Sequence, residues 1–394
     1  MSALRTSLLP AALLASVAAA CGDLPFVDDD RSASSDVVQL SAASRHACAR
    51  LRDGLVYCWG DNSGGRLGTN DEAAYFEPVR VDLPGHASFV DASEGGGCAI
   101  VARELYCWGT DDPGTYGDAG EEDTVLRVEQ TAPGHRWRAV SGPLLGFDRH
   151  RCALDVDGRA FCWGSNYSGQ LGDSSRLDRA VPTAVHGDLR WRSISAGSLI
   201  TCGVADDRRG YCWGNNFDGE LGIGVEDPYY TGMRSSRTFP HELAGGHRWL
   251  EIAAMSGGAC GLTVEGEAYC WGYSVEPPVG LADGIPRHTP RPIGLAGNDL
   301  GARLGHVCVA SGTGTVACWG SNEAGQLGTG DFSPAPSPAL VASEAAYLDV
   351  AAGSGFTCAI TRGHAVDCWG ANGYLQLADG TAQDRPAPVR VPLN

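Results

Sequence analysis

The tripeptide Cys-Trp-Gly occurs seven times, at Cys58-Trp59-Gly60, Cys107-Trp108-Gly109, Cys162-Trp163-Gly164, Cys212-Trp213-Gly214, Cys270-Trp271-Gly272, Cys318-Trp319-Gly320 and Cys368-Trp369-Gly370. Successive copies lie 49, 55, 50, 58, 48 and 50 residues apart. A fixed period near fifty marks an array of small units, none of which can bury its apolar surface alone. That signal overrides the two or three domains that 394 residues would otherwise suggest. Each copy has a second cysteine upstream: Cys48, Cys98, Cys152, Cys202, Cys260, Cys308 and Cys358. The gap is ten residues in six copies and nine in the second, and Cys21 is the one cysteine left over.

The third copy shows the unit most clearly. Trp137-Arg138-Ala139-Val140-Ser141 alternates apolar and polar residues with period two, the mark of a half-buried strand. Cys152-Ala153-Leu154-Asp155 and Arg159-Ala160-Phe161-Cys162-Trp163 flank an Asp157-Gly158 turn and read as a hairpin. A turn-rich segment and a polar loop follow, and Val181-Pro182-Thr183-Ala184-Val185 reads as a Pro-marked edge strand. Four short antiparallel strands, seven times over, predict an all-β, seven-bladed β-propeller. The repeats run over about 37–83, 87–131, 135–186, 189–244, 248–296, 299–342 and 346–394. An open solenoid is the alternative. Closure is favoured by the absence of polar capping repeats and by the C-terminal strand at Pro388-Val389-Arg390-Val391, which is placed to pair with the first-blade region.

Hairpin register explains the cysteine pairs. In the third copy the facing residue numbers sum to 314, so Cys152 lies opposite Cys162. In the second, Cys98 lies opposite Cys107 across a two-residue loop at Ala102-Arg103. Facing residues sit about 4.5–5.5 Å apart at Cα, within disulfide range. One disulfide per blade is expected: Cys48–Cys58, Cys98–Cys107, Cys152–Cys162, Cys202–Cys212, Cys260–Cys270, Cys308–Cys318 and Cys358–Cys368. Zinc binding is the rival, but the close Cys pairs of zinc sites do not occur.

Residues 1–20 read as a signal peptide: Arg5, an apolar stretch from Leu8, then Ala18-Ala19-Ala20. The apolar stretch is too short to span a membrane. The segment ending at Cys21 resembles a bacterial lipoprotein signal, with Ala18 where Leu is usual. Cys21 would then carry lipid, with 21–36 as the anchor and tether and 37–394 as the propeller. Ordinary cleavage leaving a spare thiol is the alternative. Cysteine arithmetic favours lipidation, because Cys21 alone lacks a repeat partner. An exported protein in the periplasm, or an outer-membrane or cell-surface lipoprotein, is expected. With 29 Lys+Arg against 47 Asp+Glu, the net charge is −18. Such a field repels nucleic acid and anionic membrane surfaces, and no basic run offsets it.

Several copies carry a further motif, Asn-x-x-Gly-Gln-Leu-Gly, after the aromatic-Gly: residues 62–68, 166–172, 216–222 and 322–328, with Arg66 and Glu220 replacing Gln in two. Residues 372–378 are a degraded copy, with Leu375 and Ala378 in place of Gly. His46, His150 and His306 precede the second strand in three copies. Together these features resemble the regulator of chromosome condensation repeat family. The resemblance implies a seven-bladed propeller and protein binding on a propeller face. The family's namesake is a nucleotide-exchange factor that binds chromatin, roles that suit an acidic, exported chain poorly.

No catalytic motif is present. One Trp per copy at a fixed position reads as packing between blades, ahead of a photoreceptor role. Trp137, Trp191 and Trp249, with Phe89 and Tyr347, are expected to open the innermost strands. The histidines read as hydrogen-bonding groups inside the blades. No cofactor or metal is expected; the acidic residues Asp111, Asp112, Asp118, Glu121, Glu122 and Asp123 read as solvated charge. Function is sought in copies that break the pattern, the second, fourth and fifth. The fourth has a loop in which Tyr229, Tyr230, Met233, Arg234, Arg237 and Phe239 form a candidate partner-binding set. The leading expectation is a non-enzymatic, monomeric envelope scaffold that binds a protein partner. The alternatives are an envelope hydrolase with its site at the central channel and a guanine-nucleotide exchange factor-like regulator.

Overall fold

The structure, a computed structural model, describes residues 35–111, 123–142, 150–224, 236–273, 287–303 and 305–393. Over these residues the chain forms seven four-stranded antiparallel sheets, each built from consecutive strands in chain order. Blade 1 comprises β1 (Val37–Ala42), β2 (His46–Leu51), β3 (Val56–Gly60) and β4 (Tyr75–Arg80). The first strands of the later blades are β5 (Ala87–Ser93), β9 (Trp137–Ser141), β13 (Trp191–Ala196), β17 (Trp249–Ala254), β21 (Asp299–Arg303) and β25 (Tyr347–Ala352). Neighbouring first strands touch one another, and they line the axis. Fourth strands such as β4 are the exposed rim. The molecule is a seven-bladed β-propeller. Among the described residues no helix is long and apolar enough to cross a membrane.

The core lies between blades, not within them. Seven hydrophobic clusters each combine residues of two adjacent blades. Adjacent residues of a strand point to opposite faces, and the Cys-Trp dipeptide uses this. Cys152 and Cys162 of blade 3 share a cluster with Trp213 of blade 4, whereas Trp163 shares one with Cys98 and Cys107 of blade 2. All seven pairs are disulfides, with Cα–Cα separations of 4.0–4.1 Å. These lie at the short end of antiparallel spacing, where facing side chains come closest. The registers are Cys152↔Cys162 and Cys98↔Cys107, and in the shorter hairpin Ala102 and Arg103 both take positive φ (51° and 73°). The Gly of each tripeptide also has positive φ; at Gly60 a Cβ would sit 2.4 Å from the Arg45 carbonyl.

Three expectations need correction. The C-terminal strand β28 (Arg385–Arg390) pairs with its own blade's third strand, β27 (Val366–Gly370), not with blade 1. The ring closes instead through a cluster joining Val37, Leu40 and Trp59 to Phe356, Leu377 and Val391, aided by the Trp59 indole N–H donating to the Gln376 carbonyl at 3.0 Å. Phe89 does not open its strand, because Ala87 occupies that place. Phe89 sits two residues later, at the position of Gln39, facing the axis. The histidines connect blades: His46 Nε2 meets the Gly96 carbonyl at 3.0 Å, and His150 and His306 meet the Thr201 and Thr357 hydroxyls at 2.7 and 2.8 Å in the following blades.

Candidate functional site

Each antiparallel blade puts its first-to-second and third-to-fourth connections on one face of the ring. The Asn motifs fall in the third-to-fourth connections, so they share that face. Their asparagines are buried and hold the loops rigid. Asn62 Oδ1 accepts the Leu67 amide at 2.9 Å while its Nδ2 donates to the Asp71 and Ala73 carbonyls at 3.0 and 3.1 Å. Asn166, Asn216, Asn322 and Asn372 accept the equivalent Leu amides at 2.9–3.1 Å. No other side chain combines two donors and an acceptor at this reach.

On these stiff loops stand aromatic side chains. Tyr167 and Phe217 directly follow the Asn in blades 3 and 4, Tyr374 stands two residues after it in blade 7, and Phe332 follows the blade 6 motif; they are 44%, 41%, 46% and 48% exposed. Arg45 lies 4.5 Å over the Tyr374 ring. Beside it, between blades 7 and 1, a groove of about 450 Å³ is lined by Arg45, Glu94, Tyr374 and Asp384 among others. Exposed aromatics and arginine on a rigid frame are what protein interfaces concentrate.

The second feature is the axial channel. The residues facing each first cysteine plus two define one ring: Gln39, Phe89, Ala139, Ser193, Glu251, Asp299 and Asp349. The residues facing the first cysteine define the next: Ser41, Asp91, Ser141, Ser195, Ala253, Gly301 and Ala351. Many of these staple neighbouring blades by accepting the next blade's backbone N–H. Ser41 accepts from Ala92 at 2.9 Å, Asp91 from Gly142 at 2.8 Å, Ser141 from Ala196 at 3.0 Å, Ser195 from Ala254 at 3.0 Å and Asp299 from Val350 at 2.7 Å. Burial raises the pKa of Asp91 and of Asp299 to about 6. Burial, and then the neighbouring carboxylates, push Glu251 and Asp349 well above the ordinary range. Sequence could not locate this cluster, because its members lie about fifty residues apart at a position whose residue type varies. The histidines are held neutral by burial, His46 and His150 at about 3 and His306 at about 4.

Among the residues expected to bind a partner, Tyr229, Tyr230, Met233 and Arg234 lie outside the described residues, as does Cys21. Arg237 and Phe239 are not in a loop: they belong to the rim strand β16 (Arg237–Glu242), where Arg237 pairs with Gly214. Phe239 is exposed on this strand beside His186 and His241, with ring centroids 5.6 and 4.5 Å away. Of the acidic segment, only Asp111 and Asp123 are described, as paired strand residues. Among the described residues no group of three metal-binding side chains is placed to hold a metal ion.

Fold and site together define a seven-bladed propeller of disulfide-stapled blades. The chain carries regulator of chromosome condensation repeats: one profile of that repeat matches residues 53–102, 157–204 and 313–360, and a second matches 37–66 and 348–376. The ultraviolet-B receptor UVR8 of Arabidopsis thaliana is 26% identical over 318 residues, 75% of this chain and 67% of the receptor. The human E3 ubiquitin-protein ligase HERC2 is 25% identical over 263 residues, 65% of this chain but 5% of the ligase. Among solved structures, Prp20p from Saccharomyces cerevisiae superposes with a TM-score of 0.71 at 18% identity, covering 86% of either chain. Human WBSCR16 gives 0.69 at 21% identity, covering 80% of this chain and 84% of its own. These two likenesses establish the fold.

Proposed function

We propose that the protein is a non-enzymatic interaction scaffold of the cell envelope that binds a protein partner through the face carrying the Asn motifs. The observation that carries this reading is the set of exposed aromatics, Tyr167, Phe217, Phe332 and Tyr374, on loops fixed by buried asparagines. Tyr229, Tyr230, Met233 and Arg234 fall in sequence between the third and fourth strands of blade 4, Gly210–Gly214 and Arg237–Glu242. Seven disulfides require an oxidising environment, in keeping with a signal peptide over 1–20 and lipid on Cys21 as the sole membrane attachment. A structural relative gives the reading general support: Prp20p has binding properties to Gsp1p and histones. Substituting Tyr167, Phe217 and Tyr374 with Ser, in one arm, and deleting residues 227–238, in another, tests the face. Loss of partner capture from envelope extract in either folded variant supports it, and undiminished capture in both refutes it. Mass spectrometry of the mature N-terminus checks Cys21; a free α-amine there, or cleavage elsewhere, overturns the lipid anchor.

A hydrolase at the channel is the second reading, favoured by the raised carboxylates Glu251, Asp299 and Asp349. Against it, Asp299 is engaged as a staple to the next blade, accepting the Val350 amide as Gln39, at the same ring position in blade 1, accepts the Val90 amide. Hydrolysis of envelope polymers that survives in wild type and vanishes in Asp299→Asn would favour the enzyme.

A further inference from the structure

The geometry points to a cation-binding sector in the axial channel: Ser193, Glu251, Asp299 and Asp349, on four successive blades, bind an organic cation, a guanidinium or primary ammonium group. The strand positions set the direction. Trp249 and Ile252 of β17 face the blade core, so Glu251 between them faces the axis. Two acceptors there are orphaned: Glu251 Oε1 and Ser193 Oγ are buried and have no hydrogen-bond partner. The Leu300 amide serves the other side of the Glu251 carboxyl, and Asp299 and Asp349 hydrogen-bond each other.

A sector of unfilled acceptors calls for a ligand made only of donors, and guanidinium and ammonium are such groups. The carboxylates do not converge as a metal-ion set, which suits a larger cation. The charges felt by Glu251 and Asp349 are those of fellow carboxylates. The channel's own cations serve elsewhere. Arg151 and Arg303 act on Asp91, Arg303 also donates to the Ala42 carbonyl, and Arg50 donates to Gln39 at 3.1 Å. Without a ligand the sector holds protons. On binding, a carboxyl O–H ionises, its proton passes to buffer, and the carboxylate pairs with the incoming cation. Affinity therefore rises with pH.

The ligand has two sources, a free small molecule or a basic side chain on a partner, and the site is independent of the aromatic face proposed above. Calorimetric titration of the full-length protein with L-argininamide, at pH 8 and pH 5 in buffers of different ionisation enthalpy, tests it. We expect binding at pH 8 with at least one proton released, and at least tenfold weaker binding at pH 5. Glu251→Gln should weaken binding at least tenfold while its melting temperature holds or rises. Ser195→Ala, in the neighbouring ring, should leave affinity within about twofold. An acetyl-Gly-Arg-Gly-amide arm separates the sources: binding of the peptide at equal or better affinity identifies a chain-borne side chain, and binding of argininamide alone a free molecule. Absence of binding by both ligands at pH 8, equal affinity in folded Glu251→Gln, or affinity independent of pH would overturn the site and leave it solvent-filled.

Discussion

Acidification from pH 7 to pH 5 opposes two sets of buried groups. His46, His150 and His306 are fully buried, and burial holds them at about 3, about 3 and about 4 against an ordinary 6.5. A histidine with a depressed folded pKa leaves stability whole above the unfolded value and removes it as pH falls below. At pH 5, about 1.5 units under the unfolded value, each costs about 2 kcal/mol at about 1.4 kcal/mol per unit. The channel carboxylates act the other way. Asp91 and Asp299, raised to about 6, and Glu251 and Asp349, raised further, hold protons that the unfolded chain has lost. Their cost is complete above the folded values and is relieved as pH falls. The wild type should therefore change little between pH 7 and pH 5. In His150→Gln/His306→Gln the new amides can still meet Thr201 and Thr357, and the acid-sensitive cost of these two residues is gone. Urea unfolding at the two pH values should show the difference in stability shifted by about 4 kcal/mol in favour of pH 5, relative to wild type. Asp299→Asn/Asp349→Asn should shift it the opposite way. A histidine variant whose pH dependence matches wild type within about 1 kcal/mol would show that these buried imidazoles do not set the acid sensitivity.

Ala378 has φ +49° where Gly172, Gly222 and Gly328 stand in other blades, and a Cβ at those glycines would lie 2.6–2.7 Å from the next blade's indole. Ala378→Gly should stabilise the ring closure by about 1 kcal/mol, read as a higher melting temperature; no gain would place the strain elsewhere. Removing one hairpin disulfide, Cys152→Ala/Cys162→Ala, should cost roughly 3 kcal/mol from loop entropy, plus a cavity against Trp213. A loss under about 1 kcal/mol would count against that assignment. Alkylation of the unfolded, unreduced protein should modify no cysteine other than Cys21; modification of the fourteen repeat cysteines would remove the disulfides altogether.

Period and register were legible because they are local. A ten-residue gap around an Asp-Gly turn sets Cys152 against Cys162; the same gap recurs in five other blades, and in blade 2 a loop one residue shorter keeps Cys98 against Cys107. Contacts between blades were less legible. The partner of His150 is Thr201, and nothing in the blade 3 sequence indicates it. Phe89 was displaced by two residues because blade 2 opens on Ala87, which gives no aromatic marker for the strand start. The channel carboxylates were invisible for a related reason. Gln39, Phe89 and Glu251 share a ring position while sharing no residue type, since the position demands only that it face the axis. The aromatic face was half legible: the Asn motif is a sequence signal, but Tyr167 and Phe217 occupy its variable places. Arg237 and Phe239 read as loop residues in the sequence, because only the pairing of β16 with the third strand defines them as strand.

The most direct measurement is site-specific photo-crosslinking in intact host cells, with a benzophenone side chain placed singly at Phe217, at Tyr374 and, on the opposite mouth of the ring, at Leu250. One shared protein adduct is expected from Phe217 and Tyr374 and none from Leu250. An adduct from Leu250 alone, or none from either aromatic position, would contradict the assignment of the binding face.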